Sequence, residues 1–115
     1  MPSFEAGIQA EDYDQMAGIV TGFWAAQVVG AAALYNLADH LAAGTDTPAQ
    51  IAASERIDPE ATRRLMRTCA SIGLMTSADG THYAGTSLLS TLRADAPNSM
   101  RYFALSQTAP GHWLS

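Results

Sequence analysis

The side chains best suited to chemistry are three histidines, one cysteine and a run of arginines. His40, His82 and His112 stand roughly 30 to 40 residues apart, far from the close pairing of metal ligands on one helix or loop. Cys69 is the only cysteine, so an internal disulfide and a multi-cysteine metal site are both excluded. It falls on the apolar stripe of a predicted helix, the place of a buried structural thiol rather than a nucleophile. His40 follows Asp39 at a helix end, where a dipole contact or a cap accounts for it. No Gly-x-Gly pair occurs, so neither a dinucleotide loop nor a methyl-donor loop is present. Arg56, Arg63, Arg64 and Arg67 place four of the six cations together. They read either as a phosphate-contacting face or as a solvated helix face with Glu60 one turn before Arg63 and Arg64. Self-contained catalysis is not expected, and no catalytic, cofactor or metal residue is assigned.

These residues sit in a chain of 115 residues, the size of one domain. Hydrophobic residues make up 48% and charged residues 15%, which disfavours disorder. The net charge of -5 disfavours a nucleic-acid partner. From Met16 to Ala38 there is no charge, a stretch long enough to span a bilayer. Against a span stand Thr21, Gln27 and Asn36, the acidic flanks Glu11, Asp12, Asp14 and Asp39, and the lack of any cation before Arg56. The first ten residues also lack the basic start of a signal peptide. The stretch is expected to form two buried helices of a soluble, cytoplasmic protein. Met16, Ile19, Val20, Phe23, Trp24 and Gln27 share one side, and Val28 extends it. A domain this small cannot surround a helix with no polar face. A second copy in an intertwined homodimer, or a further domain, is expected to cover these seven residues; the alternative is a loosely packed single-chain core rich in alanine.

The next helix is predicted from Val28 to Leu41, with Leu34, Leu37, Ala38 and Leu41 as its core stripe. Gly44 ends it. Thr47, Pro48 and Gln50 predict a capping box opening a helix that ends near Glu55. Asp58 and Pro59 start another, running through Leu65, Met66, Cys69 and Ile72 to Gly73. Leu74-Met75-Thr76 and Thr81-His82-Tyr83 read as strands around an Ala78-Asp79-Gly80 turn. The order is mainly α, a winged helix-turn-helix with a small two-stranded β-hairpin and extra N-terminal helices. The wing tip offers Asp79 and no cation, which weakens the DNA reading further. Thr86 caps a short helix with Leu88, Leu89 and Leu92. Residues 93–98 are a polar connector, and a last helix from Ser99 carries Met100, Tyr102, Phe103 and Leu105. Pro110-Gly111 interrupts it, and the chain stops at Ser115 as if within an element. The expected layout is a flexible segment 1–11, dimerisation helices 12–44, a winged helix 45–85 and C-terminal helices 86–115.

The segment Ala31-Ala32-Ala33-Leu34-Tyr35-Asn36-Leu37-Ala38-Asp39-His40-Leu41 opens a series of family features. Thr47-Pro48-Ala49-Gln50-Ile51-Ala52 follows, then Asp58-Pro59 with Arg63-Arg64-Leu65-Met66-Arg67. Gly73-Leu74-Met75, Tyr83, Thr86, Leu88-Leu89, Leu92-Arg93 and Pro97-Asn98-Ser99-Met100 complete it. In this order they resemble the N-terminal dimerisation domain of S-adenosylmethionine-dependent small-molecule O-methyltransferases of the bacterial secondary-metabolite type. The lysine-free composition, rich in alanine and arginine, is similar to that of GC-rich bacteria. Tyr35-Asn36 stands where the family often has Leu-Gly, and Thr68-Cys69-Ala70 lacks a frequent leucine. The resemblance implies a homodimer whose first helices reach the partner's substrate pocket. It also implies an aromatic or polyketide acceptor, with Phe103, Gln107, His112 and Trp113 near the acceptor. S-adenosylmethionine is expected for the parent enzyme and no cofactor for this chain alone, since the family's Rossmann-like half and its Glu-x-Gly-x-Gly-Gly loop are not in the sequence. A winged-helix DNA-binding regulator and a stand-alone small-ligand-binding dimer are the alternatives.

Overall fold

The computed structural model describes residues 7–108. Helix α1 spans Ala10–Leu34 as one rod, where the sequence predicted two helices meeting near Val28. The alanines at 25, 26 and 31–33 carry the helix on, alanine being the strongest helix former. The break comes instead at Asn36, in the left-handed region at φ 58, which asparagine tolerates better than most residues. Helix α1 begins with a contact the sequence did not suggest. The Gln9 backbone N–H donates to the Asp12 carboxylate at 2.9 Å, satisfying a donor that the first turn leaves open.

Helix α2, Leu37–Ala42, follows the break and ends as predicted at Gly44, φ 90. Helix α3, Pro48–Glu55, starts at Thr47, whose hydroxyl accepts from the Gln50 N–H. The predicted reciprocal box is not completed. Thr47 Oγ1 donates to the Gln50 side-chain carbonyl at 2.9 Å, so that oxygen turns to the hydroxyl rather than to a backbone donor. Helix α4, Pro59–Ser71, is capped by Asp58, which accepts from the Ala61 N–H at 2.7 Å. Between α3 and α4, Arg56 takes a left-handed turn at φ 59.

The wing is a short antiparallel pair, β1 at Met75–Thr76 and β2 at Ala84–Gly85, with Met75 opposite Gly85 and Thr76 opposite Ala84. The predicted second strand over 81–83 is not formed. Asp79 Oδ1 accepts from the N–H groups of Thr81 and His82 at 2.9 and 2.8 Å. Ser77 Oγ accepts from Gly80 N–H and donates to the His82 carbonyl. These donors are spent within the loop, and the Tyr83 N–H goes to the Asp46 carbonyl. Helix α5, Ser87–Ser90, is capped by Thr86, whose hydroxyl also donates to the carbonyls of Gly73 and Leu74. Helix α6, Arg101–Thr108, lies along the second half of α1.

Leu37, Ile51, Met66, Cys69, Met75 and Leu89 form the centre of the core and are all but inaccessible. Ala32 and Ala33 are equally buried, their small side chains letting α4 and α6 approach α1. Thr62 is buried with them, its hydroxyl donating to the Asp58 carbonyl at 2.8 Å. Leu34, predicted on the core stripe, is 54% exposed. Its helix continues unbroken to that residue, so Leu34 faces away from the core that Leu37 and Ala38 reach after the Asn36 turn. The first half of α1 projects from the domain, and the longest dimension is 58 Å against 35 and 27 Å.

Candidate functional site

The outstanding surface is the projecting half of α1. Met16 is 58% exposed, Val20 59% and Trp24 45%, with Tyr13, Ile19 and Phe23 similarly open. Gln27 is half-buried and Val28 turns into the chain's own core. Alanine at Gly18 or Gly22 would meet nothing within 4 Å. The six large side chains have apolar bodies, and the face they form can bind by desolvation and packing. It is far larger in apolar character than the scattered exposed leucines of an ordinary surface. By length and composition α1 is also apolar enough to cross a bilayer, but its second half is held to α4 and α6. At Gly30 the α6 helix comes so close that an added Cβ would collide with Thr108 Oγ1.

A second surface is an apolar cleft of about 470 Å³ between α1, α5 and α6. Phe103 and Gln107, both proposed from the sequence as acceptor-side residues, line it with Val29, Leu88, Leu92 and Met100. Leu88 was legible only as part of a Leu-Leu pair. Its neighbour Leu89 is buried while Leu88 faces the cleft, because adjacent helical residues point about 100° apart. His112 and Trp113 lie outside the described residues.

The titratable groups serve structure. His40 lies in the last turn of α2, as the dipole reading expects, but its ring does not cap that helix. Its Nε2 reaches Glu55 Oε2 at 2.6 Å, and Asn36 Nδ2 donates to the same oxygen at 3.5 Å, so α2 is fastened to the end of α3. Burial pushes the Cys69 thiol up to about 12, which leaves it protonated and inert at neutral pH. Arg63 donates through Nε to Glu60 at 3.0 Å, and this bond holds the Glu60 carboxyl below its ordinary range. Arg64 and Arg67 stay exposed on α4. The backbone and ring donors of His82, then the Thr81 N–H, hold Asp79 well below the usual carboxylate range. The carboxylate in turn raises His82. An ionised acid therefore organises the wing tip, the reverse of a phosphate-seeking wing. Among the described residues no group of three His, Cys, Asp or Glu side chains converges as a metal site.

Comparison with known proteins agrees with this architecture. The model of the O-methyltransferase dimerisation domain matches residues 17–95. Phenazine O-methyltransferase PhzM of Lysobacter antibioticus is 32% identical over 83 residues, 72% of this chain and 24% of that protein. The N,N-8-amino-8-demethyl-D-riboflavin dimethyltransferase RosA of Streptomyces davawensis superposes with a TM-score of 0.82 at 26% identity, over 92% of this chain and 31% of RosA. NcsB1, an O-methyltransferase of neocarzinostatin biosynthesis solved with S-adenosyl-L-homocysteine and 1,4-dihydroxy-2-naphthoic acid, superposes with a TM-score of 0.67 at 30% identity. That match covers 71% of this chain and 25% of NcsB1. The chain thus spans between 24% and 31% of the length of these relatives. A match from residue 17 to residue 95, over the winged module and most of α1, shows that the chain belongs to the O-methyltransferase dimerisation domain family.

Proposed function

We propose that this chain is the homodimerisation and acceptor-shaping domain of an S-adenosylmethionine-dependent O-methyltransferase. Its acceptor is an aromatic or polyketide-type secondary metabolite. The observation that carries the reading is the projecting apolar face of α1, Met16, Ile19, Val20, Phe23, Trp24 and Gln27, which Val28 backs from the core. Its exposed large side chains, Tyr13, Met16, Ile19, Val20, Phe23 and Trp24, each about half exposed or more, release roughly 600 Å² from water, close to one side of a stable interface at about 800 Å². A second copy fits this face better than a bilayer, because α1 carries Glu11, Asp12 and Asp14 in its first turns and no cation to anchor a headgroup. Duplex DNA is disfavoured by the acid-organised wing and the net charge of -5.

The acceptor class is argued from the cleft and from the relatives. Phe103 and Gln107 supply an aromatic face and a hydrogen-bonding amide beside an apolar wall. The names of the relatives carry a phenazine and a naphthoic acid, both planar aromatics suited to such a wall. S-adenosylmethionine belongs to the parent enzyme's other domain in this proposal, and this chain alone binds none.

Light scattering over a dilution series tests the first part. The expected mass is twice 12.1 kDa, and Val20→Asp should dissociate the dimer by burying an unpaired carboxylate. A folded wild-type monomer at every concentration would overturn the homodimer. Calorimetry with S-adenosylmethionine tests the second part, with no binding heat expected. Stoichiometric binding to this chain would refute the placement of the cofactor.

A further inference from the structure

We propose that the cleft between α1, α5 and α6 selects aromatic ligands whose inserted rings carry no charge, and that Gln107 sets this selection. The proposal rests on the acceptor reading of the cleft and adds which acceptors it takes.

Met100, just before α6, and Phe103 and Gln107 on it follow helical spacing along one wall. The row is about 10 Å long, a length that suits a fused-ring system. Val29 of α1 and Leu88 and Leu92 of the α5 region complete the apolar lining. Leu88, Met100 and Phe103 are 55%, 44% and 57% exposed, so an inserted ring removes apolar surface from water. A flat ring can stack on Phe103 and touch the Met100 sulfur. The cleft volume of about 470 Å³ falls within the range of about 300–1,000 Å³ that small organic ligands occupy.

The polar groups decide what the ring can carry. None of the lining residues is charged. Arg101, next to Met100 in sequence, is not among them and sits over the Tyr102 ring at 5.6 Å. Thr91 and Thr108 line the cleft, but their hydroxyls donate to the carbonyls of Leu88 at 2.8 Å and Ala104 at 2.9 Å. With those protons committed, the two hydroxyls retain acceptor lone pairs, which disfavour a carboxylate. Gln107 differs. Among the described residues its amide has no hydrogen-bond partner, so both its donors and its carbonyl are open to a ligand. An amide serves a phenol hydroxyl, a quinone carbonyl or a ring nitrogen equally well. It cannot neutralise a carboxylate, and an unpaired ion costs far more to desolvate than a neutral polar group. A charged acceptor therefore has to keep its charge in water at the mouth.

Two probes of one ring system read the selection. 2,6-Dihydroxynaphthalene is neutral at pH 7, whereas naphthalene-2,6-dicarboxylate is charged at both ends, so no orientation keeps both charges in water. Each is titrated into the chain carrying carbon-13 methionine methyls, with the Met100 signal assigned through Met100→Leu. The diol should shift Met100 and bind at least about tenfold more tightly than the diacid. Gln107 is exposed, so its replacement leaves the core intact. Gln107→Leu should weaken the diol roughly fivefold by removing its hydrogen bond. Gln107→Arg should bring the diacid to within a few-fold of the diol, a gain that a merely structural role would not produce. Equal affinity of the wild-type chain for both probes would overturn the selection and leave an aromatic-binding cleft standing. Unchanged affinities in both Gln107 variants would remove the assignment to that residue. A shift at Met16 without one at Met100, or no shift with either probe, would overturn the acceptor reading of the cleft and this proposal with it.

Discussion

Replacing Gly30 by alanine sets two effects of known sign against each other. Alanine favours a helix interior over glycine by about 1 kcal/mol, so on an open helix face the change stabilises. At Gly30 the added Cβ would lie 2.6 Å from Thr108 Cβ and 2.8 Å from its Cγ2, besides colliding with Oγ1. Rotating the threonine does not relieve a contact to its own Cβ. The two helices have to separate by about 1 Å to restore a normal carbon–carbon distance of 3.5 to 4.0 Å. Overpacking of this kind costs typically 1–3 kcal/mol, so the expected net loss is about 1 kcal/mol. In a domain of this size that lowers Tm by roughly 4–8 °C. The assay is urea unfolding at fixed protein concentration, because dimerisation makes stability concentration-dependent. Gly22→Ala is the matched control, since its Cβ would meet nothing within 4 Å. Adding Thr108→Gly to Gly30→Ala should recover most of the loss. If Gly30→Ala stabilises as much as Gly22→Ala, the close approach of α1 and α6 at that point is refuted.

Three further outcomes follow from the local chemistry. Asp58→Ala removes the acceptor of the Ala61 N–H and should cost about 1 kcal/mol, with a loss below about 0.3 kcal/mol in urea titration arguing against the cap. Cys69, its thiol pushed up to about 12 by burial, should resist iodoacetamide at pH 8 in the folded protein and react in urea. Labelling at equal rates in both states would contradict its burial. The wing loop should tighten below neutrality. The raised His82 is protonated there and its attraction to Asp79 is fully present below the unfolded histidine value of 6.5, then fades as pH rises through the higher folded value. Asp79 stays ionised throughout, since its folded value lies far below the range used. Amide exchange at Thr81 and His82 should therefore show greater protection at pH 6 than at pH 8.5 after correction for the intrinsic rate, and Asp79→Asn should abolish the difference.

The winged module was legible because its boundaries are chemical. Thr47-Pro48, Asp58-Pro59 and Thr86 start helices for reasons that act within a few residues, and the structure places helix starts at all three. Misreadings came where a local signal had two possible partners. Asp79-Gly80 marks a turn in either case, but whether the following N–H groups join a ladder or bond to Asp79 depends on the loop's final shape. His40 pairs with Glu55, fifteen residues on, and nothing in their spacing announces a meeting between two helices. The break between α1 and α2 depended on one asparagine entering the left-handed region, which composition alone does not require.

Leu34 and Leu37 show the limit most clearly. Both are leucines at helical spacing in the same alanine-rich stretch, and a hydrophobic pattern treats them alike. The turn at Asn36 sends Leu37 into the core and leaves Leu34 outside. Periodicity reports that a face must be removed from water, and it does not name what removes it. For Leu37 the cover is α2's own domain. For Met16, Val20, Trp24 and Leu34 no residue of the described chain supplies it in full, and in the proposed homodimer a second copy would desolvate the projecting face. A folding sequence and an assembling sequence use the same side chains for the same physical reason. They part only when the backbone shows which apolar face has already been covered.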